Sequence, residues 1–357
     1  MEHKENIFTY LEWRGDLTIQ QDPLNEIDGL IFSELCYLSL EGVVPGIEEG
    51  EISIREANRK YVKTNQRMMY YAEKEKLFDA IAKSRRYQDM TLCNYISTID
   101  TKTQQQFAAM HINMVPGQTF VVFRGTDSTV VGWKEDCNMS YMMPVPAQQS
   151  AVDYVEKTVK GIFKKYYLGG HSKGGNLAIY SAVFSNAKIQ RRIAGVYSYD
   201  GPGFNRTIVN DASYLVMKER IHAFVPEKSV VGLLMEHEED YAVIESDQIG
   251  ILQHEGFFWK VSGNQFVVAE ELHPRSRELS IGIRSFLGKV SPEEKKALVD
   301  GFFSVFENAG IEDFLELLEI DAKMAAALIK SAATVPKEVR ELVGKMVKLL
   351  VEERLKK

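Results

Sequence analysis

Cysteine is scarce in this chain. The three present in 357 residues, Cys36, Cys93 and Cys137, are odd in number, far apart and in no metal-ligand spacing. That argues against a disulfide-stapled scaffold or a cysteine-built zinc site, and predicts a reduced, cytoplasmic protein. Long apolar runs are missing as well: none approaches the roughly 18 residues of a spanning helix. The opening segment, MEHKENIFTYLEWRGD, places acidic and polar residues where a signal peptide needs a short apolar core. Basic excess is also lacking. Lys plus Arg number 43 against 50 Asp plus Glu, a formal charge of −7, so nucleic acid is not an expected partner. No internal repeat or low-complexity segment is visible.

What is present is a globular composition, 45% hydrophobic and 26% charged, large enough for an α/β domain with additions. Residues 1–90 read as mainly helical: 27–40 is apolar almost throughout, and 53–84 carries helix-period apolar positions among charged residues. From about Met90 the pattern turns to strands. Residues 91–100 and 106–114 form a candidate hairpin, and 119–123 (TFVVF) reads as a buried strand. A helix over 150–164, a strand at 166–168, a helix over 175–184 and strands at 194–199, 221–225 and 241–245 follow. This alternation predicts parallel βαβ units in a central sheet covered on both faces. After Gly288, Ser291-Pro292-Glu293-Glu294 is a capping box with proline at the first helical position. The expected division is a domain over 1–288 and a helical appendage over 289–357. The last helix, beginning near Pro336, carries an apolar stripe of Val339, Leu342, Val343, Met346, Val347 and Leu350, to be buried against the body or a second subunit.

The most informative stretch is Gly169-Gly170-His171-Ser172-Lys173-Gly174-Gly175, which holds G-x-S-x-G between an expected strand and an expected helix. A serine at the tip of a tight strand-to-helix turn needs glycines at ±2 so that the neighbouring chain can pass. The helix start behind it offers free N–H groups to a developing oxyanion.

Together, Phe123-Arg124-Gly125-Thr126, Trp133 with Asp136, and Gly170 to Gly175 resemble the class 3 lipase branch of the α/β hydrolases. The resemblance extends to a bacterial family of hydrolase-like proteins called Mbeg-like. It includes 10–40, Tyr199-Asp200-Gly201-Pro202-Gly203-Phe204, Val225-Pro226-Glu227 with Val231-Gly232, and Gln253-His254, and covers about residues 6–262. It implies an α/β-hydrolase fold and a serine hydrolase, lipase- or esterase-like, with Ser172 as nucleophile. Lys173 through its backbone N–H and Thr126 would form the oxyanion hole. Lys173 departs from the apolar residue or glutamine usual beside the nucleophile; its cation would favour an anionic substrate group or point into solvent. His171 would pack against the sheet.

Four histidines follow the serine. His222 lies in an expected strand, His237 in a charged loop without zinc spacing, and His273 in an exposed turn before Pro274. His254 comes late enough to follow the last strand and is the expected base. The acid is Asp200, at a strand end before Gly-Pro-Gly, or Glu227 after the next strand; the shorter, better-fixed Asp200 is favoured. Class 3 lipases keep an aspartate where this chain has Ala223. The reaction expected is carboxylic ester hydrolysis through an acyl-enzyme, on a small molecule or a lipid, with no cofactor or metal. The Met- and Pro-rich stretch 138–146 is a lid or a packed connection. Transient contact with a membrane surface and self-association through the C-terminal helices are both compatible with this reading. The competing readings are a hydrolase-fold binding or scaffold module without turnover, and a hydrolase of thioester or peptide bonds.

Overall fold

The computed structural model describes residues 5–344 apart from 65–67, 162, 249, 320–321, 338 and 342. Helices α1 (Ile7–Arg14) and α2 (Glu26–Leu35) come first, then the short strand β1 (Glu51–Ser53) and helices α3 (Ile54–Lys60) and α4 (Tyr71–Ile81). The single helical stretch expected over 53–84 is therefore two helices with a break between them. Strands β2 (Thr91–Asp100) and β3 (Gln105–Val115) form the expected hairpin, followed by β4 (Gln118–Phe123) and helices α5 (Val130–Asn138) and α6 (Pro146–Thr158). Residue 162, an apolar position of the expected 150–164 helix, lies outside the described residues.

Next come β5 (Lys165–His171), α7 (Lys173–Phe184), α8 (Ala187–Gln190), β6 (Ile193–Tyr199), α9 (Arg206–Val209), α10 (Ala212–Met217), β7 (Ile221–Pro226) and β8 (Tyr241–Ile244). These eight strands make one sheet in sequential order. The β1 to β4 pairs are antiparallel and the β4 to β8 pairs parallel. With helices on both faces, this is an α/β-hydrolase fold.

Alternation along β4 sets the layers. Phe120 and Val122 face a core shared with α1, α2 and α4, whereas Val121 and Phe123 face a second core built with α6 and α7. α2 and α7 are buried almost all round, as expected of helices pressed onto a sheet and then covered themselves. Gly29 lets α2 approach that closely: a Cβ there would lie 2.2 Å from the Tyr199 hydroxyl. Asp28 of α2, fully buried, is bonded to Arg86 (2.7 and 2.5 Å) and Tyr87 (2.5 Å).

The C-terminal part contains α11 (Pro274–Lys289), α12 (Pro292–Asn308) and α13 (Ala322–Ala332). Ser291 caps α12 with the expected reciprocal Glu294 box. Phe303, Val305, Phe306, Ile311, Phe314, Leu317 and Leu328 form a third core, which Val130 of α5 joins. Val339 and Val343 of the expected stripe are buried there; Leu342, Met346, Val347 and Leu350 lie outside the described residues. Among the described residues no helix is long and apolar enough to cross a membrane, and no cluster of His, Cys, Asp and Glu could hold a metal ion.

Candidate active site

β5 ends at His171 and α7 begins at Lys173, so Ser172 occupies the turn between them, at φ 57° and ψ −132°. A non-glycine residue at positive φ is strained and is held there by its surroundings. The glycines make the turn sterically feasible. A Cβ at Gly170 would lie 2.4 Å from the Gly174 carbonyl carbon, and one at Gly174 would lie 2.2 Å from the Phe123 oxygen. Ser172 N–H donates to the Tyr199 oxygen at 2.9 Å, locking the turn to the neighbouring strand end.

At the same edge of the sheet, Asp200 follows β6 and is also at positive φ, 51°. His254 closes a 3-10 turn, Gly250–His254. The structure brings these two together: His254 Nδ1 lies 2.6 Å from Asp200 Oδ2. The other carboxylate oxygen accepts from Ser229 Oγ at 2.5 Å and from Gly232 N at 3.1 Å, so the carboxylate is immobilised on both sides. Burial pulls the His254 imidazolium down, but the hydrogen bond and charge of Asp200 outweigh it and hold His254 above its ordinary pKa. Because Nδ1–H points to a carboxylate, Nε2 is the ring atom free to accept a proton. Among the described residues Ser172 Oγ has no hydrogen-bond partner.

Glu227 is not at this histidine. It is part-exposed, with Oε1 3.3 Å from Gln253 Nε2 and 3.4 Å from Lys228 Nζ. Gln253 in turn is buried and accepts from Lys228 N at 2.8 Å, while its backbone oxygen accepts from Trp259 Nε1 at 2.8 Å. Glu227 thus belongs to the frame of the His254 turn. His222 lies in β7 and stacks on Tyr197, centroids 4.9 Å apart. His237 Nδ1 is 3.0 Å from Glu239 Oε1. His273 caps α11 rather than lying in a free turn.

His171 is more than packing. Its Nε2 is 2.6 Å from the His254 carbonyl oxygen and its Nδ1 2.9 Å from the Tyr37 hydroxyl. A carbonyl only accepts, so Nε2 carries the proton and Tyr37 donates to Nδ1. Burial lowers the His171 pKa to about 3, which keeps it neutral in that tautomer. Beneath it Lys74 Nζ is buried 3.0 Å from Glu34 Oε2 and 3.6 Å from Glu255 Oε2.

Thr126 and Lys173 flank the serine from the other side. A Cβ at Gly125 would lie 2.5 Å from the His171 oxygen, so the loop after β4 runs against the Ser172 turn. Neither the Thr126 nor the Lys173 backbone N–H has an acceptor among the described residues. Thr126 Oγ1 donates to Asp136 Oδ2 at 2.5 Å, and burial pushes the Asp136 carboxyl up to about 6, opposed by the Lys173 charge.

The Lys173 side chain corrects both expectations held for it. It faces neither substrate nor solvent: fully buried, Nζ donates to Gln106 O at 3.0 Å, Gln106 Oε1 at 2.9 Å and Glu135 Oε2 at 3.0 Å. Glu135, also fully buried, accepts further from Gln106 N and Ala147 N. The residue after Ser172 is thus a cation with its own buried counter-charge. The 138–146 stretch connects α5 to α6, with Met139 and Val145 buried and Met142 38% exposed.

Ser229, Gly232, Tyr37 and Glu135 are parts of this arrangement that the sequence reading did not single out for roles. A Cβ at Gly232 would lie 2.2 Å from Asp200 Oδ1: it is a glycine required by a close approach that exists only in the fold, and so it had no local signal.

Three solved lipases are similar to this chain. Rhizomucor miehei lipase in its propeptide complex is 17% identical with a TM-score of 0.34, over 47% of this chain and 58% of that one. M37 lipase is 13% identical with a TM-score of 0.36, over 59% and 70%. A fungal lipase–inhibitor complex is 17% identical with a TM-score of 0.32, over 48% and 68%. The chain thus spans under two thirds of the Rhizomucor lipase. No curated protein matches it. The Mbeg1-like family model matches residues 81–304, a stretch that includes the serine turn, Asp200 and His254, and the chain belongs to that family.

Proposed function

We propose that the protein is a serine hydrolase of carboxylic esters, lipid esters included, with Ser172 as nucleophile, His254 as base and Asp200 as acid. The observation that carries this reading is the 2.6 Å pair of His254 Nδ1 and Asp200 Oδ2 at the sheet edge where Ser172 sits in its strained turn. Ser172 Oγ attacks the ester carbonyl while His254 Nε2 takes its proton. The Asp200 carboxylate holds the tautomer and stabilises the imidazolium. The carbonyl oxygen, now an oxyanion, is met by the Lys173 and Thr126 N–H groups. Collapse breaks the C–O bond, and His254 returns the proton to the departing alkoxide. Water then repeats the sequence on the acyl-enzyme, releasing the acid and restoring Ser172. The chemistry needs neither cofactor nor metal. Within this reading residues 1–288 are the hydrolase unit and 289–357 its appendage.

The test is turnover of a short-chain p-nitrophenyl ester. Ser172→Ala abolishes it, and Asp200→Asn lowers kcat by roughly 10⁴-fold, the size of a wrong-tautomer defect. Glu227→Gln changes kcat only a few-fold. A crippled Glu227→Gln beside a near-normal Asp200→Asn contradicts the assignment of the acid.

A further inference from the structure

The loop that presents Thr126 is gripped from outside the hydrolase unit. Val130 N–H donates to the Glu312 oxygen at 2.8 Å and Phe314 N–H to the Ser128 oxygen at 2.9 Å, which makes an antiparallel bridge between Thr129 and Asp313. Ser128 Oγ donates to Asp313 Oδ2 at 2.5 Å. On α5, directly after this loop, Lys134 is buried and reaches Glu307 at 3.0 Å and Asp300 at 3.6 Å. Trp133 meets the Phe314 ring edge-on at 5.9 Å, and Val130 enters the appendage core. The opposite side of α5 is tied to the nucleophile helix by Glu135 and Lys173. The loop and α5 therefore lie between the serine turn and the appendage, with backbone hydrogen bonds to the appendage at residues 128 and 130.

We propose that the C-terminal helical unit is a working part of the site: Asp313, acting through Ser128, is a positioning residue that holds the 126–130 loop where Thr126 N–H meets the oxyanion. This rests on the oxyanion role assigned to Thr126 above. Asp313 touches no reacting atom. Its effect falls on transition-state stabilisation, because the oxyanion exists only after attack, so kcat changes and KM does not. An error of an ångström in a donor's position is enough to cost on the order of a hundredfold.

The experiment compares Asp313→Ala and Asp313→Asn in the full chain, by p-nitrophenyl ester kinetics and by amide hydrogen exchange over 126–130. The asparagine variant keeps an oxygen that can accept from Ser128. Asp313→Ala is expected to lower kcat about tenfold to a hundredfold at unchanged KM and to speed exchange in the loop. Asp313→Asn is expected to restore both. Unchanged exchange in Asp313→Ala overturns the proposal, as does faster exchange with unchanged kcat. Ser128→Ala removes the same hydrogen bond from the other side and decides the matter if Asp313→Ala does not fold. The exchange measurement needs no turnover. A wild type without esterase activity would refute the hydrolase reading, while exchange would still decide whether Asp313 holds the loop.

Discussion

Two helical additions flank the sheet, one before it and one after, and they are built differently. The first, α1 to α4, has no core of its own. Its Ile27, Leu30, Ile31, Phe78 and Ile81 share one core with Phe120, Val122, Tyr199 and Phe224 of the sheet, and its buried Asp28–Arg86 pair sits within that same mass. The second keeps a separate core that meets the body at α5. Each also reaches a different part of the candidate site. The first sends Tyr37 and Lys74 to the histidine side, through His171 and Glu255; the second sends Asp313 to Ser128, on the loop that carries Thr126. An addition that shares its core with the sheet unfolds with it. One with its own core can loosen alone, and then only the part it holds should suffer.

The comparison is sharpest where burial is deepest. Arg86→Met strands Asp28 as an uncompensated buried charge and is expected to cost about 3–5 kcal/mol. Because the core is shared, it should lower the single unfolding transition of the body, read by calorimetry or urea titration. Phe306→Ala should cost a similar amount, about 3–5 kcal/mol, but in the appendage core. There it should split off an early transition while the body midpoint stays near wild type. One cooperative transition shifted equally by both variants would erase the distinction.

A smaller effect separates the two neighbouring imidazoles on the histidine side. In the proposed mechanism catalysis needs neutral His254, whose pKa is raised by Asp200, so kcat/KM should climb with pH through an apparent pKa above about 6.5. In Asp200→Asn the residual activity should climb at lower pH. For stability the sign of the His254 contribution is opposite to that for activity: its raised pKa contributes stability that is complete below about 6.5 and is lost as pH rises through the folded value. His171 runs the other way. Held neutral down to about 3, it makes the fold lose stability as pH falls below about 6.5, because only the unfolded chain takes up the proton. A kcat/KM profile whose lower limb lies below about pH 6.5 would contradict the proposed role of the Asp200–His254 pair.

Much of the fold was legible because it rests on local pattern. The TFVVF run, the hairpin before it, the Ser291 capping box and the glycine spacing around Ser172 are short-range signals whose steric causes act within a few residues. The break between α3 and α4 was not legible, because helix-period apolar positions continue across it. Parts of the site depend on long-range meetings. Nothing near Lys173 in sequence announces that Gln106 and Glu135 converge on its ammonium, so a buried counter-charged lysine could not be told from an exposed one. Side-chain length favoured Asp200 over Glu227, but the contact with His254 depends on where β6 ends relative to the 250–254 turn. The Ser128–Asp313 bond joins residues 185 positions apart and has no local signature at all.

The most direct measurement is the intact mass of the full chain after treatment with a fluorophosphonate, with the modified peptide sequenced, for wild type and Ser172→Ala. The account predicts one adduct per wild-type chain, on Ser172, and none on the folded Ser172→Ala variant. Equal labelling of the two, or an adduct confined to another residue, would contradict it.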